Sequence, residues 1–149
     1  MAGNPSKYSA FPAEFAKQDA TWLSWPHKEA SWPGKLDAIY PNYSLFVKYL
    51  AQSEKVRINV VDAAMKESAT AHLVKAGVNM EQVSFYLHPT NDAWCRDHGP
   101  AFLINPAAEQ KKVIVDWNYN AWGNKYPPFD LDDVIPTKIA KHFNLPLFT

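Results

Sequence analysis

The chain has 149 residues, which is enough for one ordinary domain with a substantial core. Its 15 basic and 15 acidic residues balance, so charge provides no argument for binding nucleic acid or an anionic membrane. The single cysteine excludes an internal disulfide framework. Residues 1–10 lack the apolar core of a signal peptide, and no apolar run approaches the length of a membrane span. We therefore expect a cytoplasmic protein.

The first predicted strand covers residues 21–25, an aromatic and apolar run that Pro26 ends. Trp22 and Trp25 are an odd number of positions apart, so a regular strand directs them to opposite faces. The aromatic, turn-rich residues 25–34 follow. They either form a wall of a substrate pocket or pack beneath a long loop, and we favour the packing interpretation. His27 alone does not indicate a ligand site.

Two predicted helices alternate with strands in the next part of the chain. Residues 36–52 form the first helix, and its apolar face consists of Leu45, Phe46, Tyr49 and Leu50. Residues 55–61 and 83–87 read as strands. The alternation of strand, helix and strand predicts an α/β fold.

The second helix is predicted at residues 63–76. Asp62 is its expected N-cap and Gly77 its stop. His72 and Lys75 are expected on its solvent-exposed face, without a functional role.

The last third of the chain predicts a strand pair and a final helix. Residues 101–105 and 113–116 form the pair, and residues 134–143 form the helix. Residues 116–120 break the apolar pattern at the end of the second strand, where open α/β sheets commonly bind ligands. The acidic residues 130–133 lack the pattern of a calcium loop, so we interpret them as a helix N-terminus.

Residues 91–100, Asn-Asp-Ala-Trp-Cys-Arg-Asp-His-Gly-Pro, carry the densest chemistry in the chain. Polar side chains in a strand-flanked segment cost free energy unless they have partners. Trp94 and Asp97 are three positions apart, so an aromatic face and a carboxylate can converge on one flat cation. The alternative is an internal ion-pair network of Arg96 with Asp92 and Asp97, and the spacing leaves both interpretations open.

Residues 91–100 resemble the Asn-Asp-x-Trp-x-Arg-Asp-x-Gly-Pro signature of the agmatine deiminase and Porphyromonas-type peptidyl-arginine deiminase family. Residues 116–123, Asp-Trp-Asn-Tyr-Asn-Ala-Trp-Gly, are similar to the family's Asp-Trp-x-Phe-Asn-x-Trp-Gly block. Residues 20–26, Ala-Thr-Trp-Leu-Ser-Trp-Pro, resemble the family's N-terminal start. The three blocks follow the family's order and cover nearly the whole chain.

The resemblance implies a pentein fold, which is a propeller of five α/β modules around a central active site. Residues 1–149 would be the N-terminal portion of this catalytic domain and would supply roughly its first two modules. An incomplete propeller exposes strand edges and apolar faces. We therefore expect self-association or a completing C-terminal chain.

The implied reaction is hydrolysis of the guanidinium group of agmatine or an arginine side chain to a ureido group, with release of ammonia. By resemblance, Asp97 is a catalytic carboxylate that clamps the guanidinium, and Trp94 lies against the substrate's aliphatic stem. Asn91 contacts substrate or holds the loop, while Asp92 and Arg96 support these residues. No cofactor or metal is expected.

The family's nucleophilic cysteine, catalytic histidine and second aspartate have no counterpart in this chain. Cys95 occupies a variable position of the signature, so we do not assign it as the nucleophile. His98 follows Asp97 in what reads as extended chain, so it should point away from the ligand. The isolated chain is expected to be inactive. The alternative function is a non-catalytic guanidinium-binding or interaction module.

Overall fold

Two three-stranded sheets organise the chain, each in its own unit. The structure, a computed structural model, describes residues 7–8 and 10–149. We call Lys17–Cys95 the parallel unit. We call Arg96–Thr149, together with the described residues up to Ala16, the mixed unit.

The parallel unit alternates strands and helices as the sequence predicts. Its sheet has the order β1 (Ala20–Ser24), β2 (Lys55–Val60) and β3 (Val83–Leu87), with all neighbours parallel. Helix α1 (Leu36–Leu50) connects the first two strands, and α2 (Ala63–Lys75) connects the last two. Parallel neighbours require such crossovers, so the observed fold class is mixed α/β.

The hydrophobic core lies between one face of this sheet and the two helices. Leu23 pairs in register with Ile58, which pairs with Phe85, and all three side chains join the same cluster. Val47 of α1 and Leu73 of α2 are completely buried in it. Each fully buried aliphatic side chain of this kind contributes roughly 1.5–3 kcal/mol. The opposite face of the sheet consists of the alternate strand positions.

The ends of α2 follow from the sequence. Asp62 accepts a hydrogen bond from the Met65 N–H at 2.8 Å, which caps the helix N-terminus. Gly77 has a φ of 72°, a left-handed conformation that glycine adopts without steric cost. Both predictions are confirmed.

The predicted apolar face of α1 is wrong for three of its four residues, whereas Leu50 packs against the core as predicted. Leu45, Phe46 and Tyr49 are 44%, 48% and 62% exposed, while Ser44 and Val47 are buried. The helix carries two apolar stripes, and it can bury only one of them against the sheet. The buried stripe is the one that also contains Tyr40 and Tyr43, because their rings pack on Trp25, the residue that follows β1.

His72 also differs from its prediction. Its ring centroid lies 4.7 Å from that of Tyr40 and 6.1 Å from that of Trp25, and the side chain is half-buried. His72 lies one position before the core residue Leu73, so the aromatic cluster reaches it at the border of the buried face.

The mixed unit combines a hairpin with a third, parallel strand. Strands β4 (Ala101–Ile104) and β5 (Lys112–Val115) are antiparallel, as predicted, and β6 (Leu147–Phe148) pairs parallel to β5. The last long helix, Ile135–Phe143, buries Ile135 and Ile139 completely.

Three short helices precede this last long helix: α3 (Cys95–His98), α4 (Ala121–Asn124) and α5 (Asp130–Asp133). The helix Ile135–Phe143 is therefore α6. Residues 95–98 are therefore not extended, although the sequence suggested a strand-like setting. Within the described part of the chain, no helix has the length and apolar character needed to span a bilayer.

Candidate functional site

Residues 88–95 of the parallel unit form the candidate site segment. They follow β3 at its carboxyl end, the side of a parallel sheet where ligands commonly bind. The segment contains Asn91, Asp92 and Trp94 of the predicted site. We call it segment 88–95 below.

A cavity of about 350 Å³ lies beside this segment in the parallel unit. Trp94 is 42% exposed, so a large part of its ring is accessible to a ligand. The lining is mostly apolar and aromatic and consists of Pro26, Trp32, Ile39, Asn42, Tyr43, Phe46, Asp92, Ala93 and Trp94. An aromatic wall of this kind suits an aliphatic stem or a flat cation.

The sequence left open whether the aromatic residues 25–34 line a pocket or pack in the interior, and the structure shows some of them in each place. Trp25 is 2% exposed, and its ring centroid lies 5.5 Å from that of Tyr40 in a stacked arrangement. It therefore packs in the core, as favoured. Pro26 and Trp32 instead line the cavity.

Asp92 is buried and anchored within the parallel unit. Ser31 donates a hydrogen bond from its hydroxyl to Asp92 Oδ2, and Lys28 Nζ lies 3.7 Å from the same oxygen. The backbone N–H of Ala93 donates to Asp92 Oδ1 at 2.7 Å. These contacts join the segment to the short 3₁₀ helix Glu29–Ser31.

His27 lies between two backbone carbonyls of the parallel unit. Its Nδ1 is 3.0 Å from the Trp25 oxygen, and its Nε2 is 3.1 Å from the Thr90 oxygen. A carbonyl oxygen only accepts, so a ring N–H is the donor wherever one of these contacts is a hydrogen bond. His27 thus links the end of β1 to segment 88–95.

Sequence reasoning missed a buried polar chain that reaches both ends of the segment. Ser24 Oγ lies 3.0 Å from Cys95 Sγ, Asn59 Nδ2 donates to Ser24 Oγ at 3.2 Å, and His88 Nδ1 lies 3.1 Å from Asn59 Oδ1. Asn59 could have indicated this chain in the sequence, because it places a polar amide inside the apolar run of β2. Cys95 is thus part of a structural hydrogen-bond chain.

Tyr43 lies against the same chain. Its hydroxyl donates to the Ser24 carbonyl oxygen at 2.8 Å. Burial, and to a lesser extent the nearby Cys95 sulfur, raise the pKa of Tyr43 well above its ordinary value. The hydroxyl therefore remains a donor across the physiological pH range.

An aromatic and cationic group occupies the sheet face opposite the core. The Trp22 ring lies 4.7 Å from that of Tyr86, and the Arg57 guanidinium lies 5.6 Å above the Trp22 ring. Trp22 and Trp25 have different partners on opposite faces, as predicted. Arg57 here binds an aromatic ring of the protein.

Asp97 and Arg96 belong to the mixed unit and lie in α3. Both are exposed, and Arg96 forms its ion pair with Glu14. Asp92 pairs with Lys28, so the two ion pairs use partners outside residues 91–100.

His98 is 1% exposed, and its ring centroid lies 6.0 Å from that of Tyr119. His98 is buried and Asp97 is exposed, and the extended backbone expected for these two residues is not observed. The two residues occupy a helical turn, in which consecutive side chains point about 100° apart.

The second family-like block lies in the mixed unit directly after β5. Asp116 is 8% exposed and accepts a hydrogen bond from the Asn118 N–H at 3.2 Å. Burial and the Asp116 charge raise the pKa of Asp133. Trp117 is 77% exposed. Residues 121–124 all have positive φ.

In the portion of the chain that the structure describes, no group of three or more His, Cys, Asp or Glu side chains is arranged to hold a metal ion.

Comparison with known proteins agrees with the motifs. Residues 10–149 match the Porphyromonas-type peptidyl-arginine deiminase family, and the match is to the N-terminal part of its members. A Legionella pneumophila (strain Paris) protein is 36% identical over 150 residues, which is 96% of this chain and 41% of the relative. The agmatine deiminase of Ectopseudomonas mendocina (strain ymp) is 35% identical over 132 residues, or 86% of this chain and 34% of that protein.

A solved structure supports the same relationship. A cysteine-to-serine variant of the C. jejuni agmatine deiminase with substrate bound is 27% identical, with a TM-score of 0.74 over 91% of this chain and 38% of that one. The chain thus spans 34–41% of the length of these relatives. With the match covering residues 10–149, the chain belongs to the Porphyromonas-type peptidyl-arginine deiminase family.

Proposed function

We propose that the chain is the N-terminal portion of a deiminase that hydrolyses a guanidinium group to a ureido group with release of ammonia. Its small-molecule substrate is agmatine or an arginine side chain. The observation that carries this proposal is the family match over residues 10–149, together with the substrate-bound agmatine deiminase of similar fold.

In this proposal Trp94 and Asp97 bind the substrate. Trp94 combines an exposed ring with a position beside the cavity, which supports contact with the aliphatic stem. Asp97 is exposed, so its carboxylate is available for the two parallel hydrogen bonds that a guanidinium offers. Asn91 contacts the substrate or holds the loop.

Asp92 and Arg96 have supporting roles. The contacts of Asp92 with Ser31 and Lys28, and the ion pair of Arg96 with Glu14, favour this assignment over substrate contact. The catalytic thiolate and histidine are proposed to lie outside residues 1–149. The hydrogen bond between Cys95 and Ser24 supports a structural role for this thiol.

The finer architecture is also a proposal. We infer that the mixed α/β fold supplies roughly the first two of five pentein modules, and that residues 1–149 are the N-terminal portion of one catalytic domain. Two units with a three-stranded sheet each support this count.

Titration calorimetry with agmatine and with an arginine-containing peptide tests the binding proposal. Asp97→Asn should weaken binding about tenfold or more, because a neutral amide loses the charge-assisted pairing. Glu109→Gln removes an exposed charge in the same unit and should leave the affinity unchanged. Equal affinities of wild type and Asp97→Asn would contradict the role of Asp97.

Trp94→Ala should reduce agmatine affinity by about 1–2 kcal/mol, since the contact with the stem and cation is lost. Leu87→Ala removes an exposed apolar side chain from the end of β3, 59% exposed, and serves as the matched control. If both variants bind like wild type, Trp94 does not contact the ligand.

Deiminase assays separate the enzyme fragment from the alternative, a non-catalytic binding module. The isolated chain should form no ureido product, while adding the C-terminal part of a related agmatine deiminase should produce it if the chain is an enzyme portion. Product formation by the isolated chain that survives Cys95→Ser and disappears in Asp97→Ala would contradict the proposed location of the chemistry.

A further inference from the structure

Ser24 and Asn59 are buried polar residues in the middle of the parallel sheet. They are register partners on neighbouring strands, and their side chains are 0% and 1% exposed. Both lie on the sheet face opposite the helical core, since Leu23 and Ile58 occupy the alternate positions. A buried hydroxyl and amide are costly in free energy unless they have hydrogen-bond partners.

Their partners are the two ends of segment 88–95. Asn59 Oδ1 lies 3.1 Å from His88 Nδ1, and Ser24 Oγ lies 3.0 Å from Cys95 Sγ. The 3.2 Å bond from Asn59 Nδ2 to Ser24 Oγ closes the chain between them. Three hydrogen bonds thus run from the start of the segment, through two core strands, to its end.

The donors and acceptors along this chain are consistent with one another. The Asn59 amide nitrogen donates to Ser24, so its oxygen is the acceptor that faces His88. His88 therefore carries its proton on Nδ1. Because the Ser24 oxygen accepts from Asn59, its own proton is available for the Cys95 sulfur. Hydrogen bonds in an ordered chain of this kind are strengthened by the low local dielectric.

We propose that Ser24 and Asn59 are positioning residues that hold both ends of segment 88–95 and so place Trp94 for ligand binding. This inference rests on the proposed function. Neither residue contacts the cavity, so they act through the segment. A loop that is already held in its binding conformation loses less conformational entropy when a ligand binds. A small displacement of a binding group such as the Trp94 ring weakens its interaction with the ligand.

Hydrogen–deuterium exchange of the whole chain tests this assignment without any ligand. Ser24→Ala and Asn59→Leu should raise amide exchange in residues 88–95 about tenfold, because the segment opens locally when its anchors are lost. Ser44→Ala is the matched control, since Ser44 is equally buried, 1% exposed, but lies in α1 outside the chain. It should leave exchange in residues 88–95 unchanged.

A spectroscopic readout reports on Trp94 directly. In the chain labelled with 5-fluorotryptophan, the resonance that disappears in Trp94→Phe belongs to Trp94. Ser24→Ala and Asn59→Leu should shift or broaden this signal, whereas Ser24→Thr keeps a hydroxyl and should restore it. A residue that only stabilises the fold would alter the midpoint of thermal unfolding without moving this resonance selectively.

Calorimetry with agmatine then connects positioning to binding. If the wild-type chain binds agmatine, Ser24→Ala should weaken the affinity about tenfold and Ser24→Thr should not. If the wild-type chain does not bind, the proposed binding function fails, while the exchange and fluorine data still decide the positioning role. That role is refuted if folded Ser24→Ala shows the exchange and the Trp94 signal of Ser44→Ala. Should Asn59→Leu fail to fold, the comparison of Ser24→Ala with Ser24→Thr decides the positioning role.

Discussion

Single side chains hold segment 88–95 through partners that are distant in sequence. Asp92 is bound by Ser31 and Lys28, and His27 lies between the carbonyl oxygens of Trp25 and Thr90. These contacts add to the buried chain from the strands, so the segment is held from several directions.

Tyr43 makes the free energy of unfolding depend on pH in the alkaline range, where stability is lost as pH rises. Burial, then the nearby Cys95 sulfur, raises its pKa well above the unfolded value, so the folded state retains a proton that the unfolded chain loses. The stabilisation is fully present below pH about 10 and is lost as pH rises toward the raised pKa, by about 1.4 kcal/mol per pH unit.

Tyr43→Phe should remove this part of the pH dependence. At neutral pH it should cost about 1 kcal/mol, because the Ser24 carbonyl loses its donor. Above pH about 10 the difference from wild type should shrink. Urea unfolding between neutral and alkaline pH measures both effects. Tyr49→Phe, at an exposed position of α1, is the control, and a Tyr43→Phe slope identical to that of Tyr49→Phe would count against the argument.

At the scale of elements, α4 has an unusual backbone. Residues 121–124 have φ values of 50°, 55°, 74° and 65°. Non-glycine residues in this left-handed region cost roughly 1–2 kcal/mol each. Compensation comes from Asn120, whose Oδ1 accepts from the Gly123 N–H at 2.9 Å, and from Trp122 packing between Tyr119 and Tyr126.

Gly123→Ala should destabilise the chain by about 1 kcal/mol. A Cβ at this position meets no atom within 4 Å, so the cost is conformational and not steric. Gly123→Asn is the matched comparison, since asparagine tolerates left-handed backbone better and should cost less. The midpoint of urea unfolding compares the two variants, and an alanine variant as stable as wild type would show that the turn is not strained.

At the scale of the whole molecule, the chain exposes much apolar surface. Leu45, Phe46 and Tyr49 on α1 and Trp117 after β5 are all substantially exposed. The chain spans 34–41% of the length of its relatives, so the longer proteins have further sequence with which such surfaces can be covered. Large exposed apolar areas are uncommon on isolated soluble chains.

The isolated 149-residue chain should therefore self-associate or require a completing chain. Light scattering coupled to size-exclusion chromatography should give a mass above that of the monomer, and the mass should rise with concentration. The related C-terminal part, added in equimolar amount, should reduce this self-association. A monodisperse monomer that unfolds cooperatively at all concentrations would rule the prediction out.

Local patterns in the sequence determined most of the secondary structure. The alternation of β1, α1, β2, α2 and β3, the caps at Asp62 and Gly77, and the β4–β5 hairpin all follow from periodicity and turn chemistry. The density of chemistry in residues 91–100 likewise pointed to the family resemblance and to the proposed site residues. These signals depend on neighbours along the chain, which is why one sequence was enough to find them.

Tertiary structure alone decided which surfaces and partners are used. The sequence of α1 offers two apolar stripes, and only packing of Tyr40 and Tyr43 on Trp25 selects the buried one. The pairing of Ser24 with Asn59 depends on the register of two strands separated by a helix. Such contacts carry no periodic signal, because their geometry exists only after the strands have paired and the core has closed.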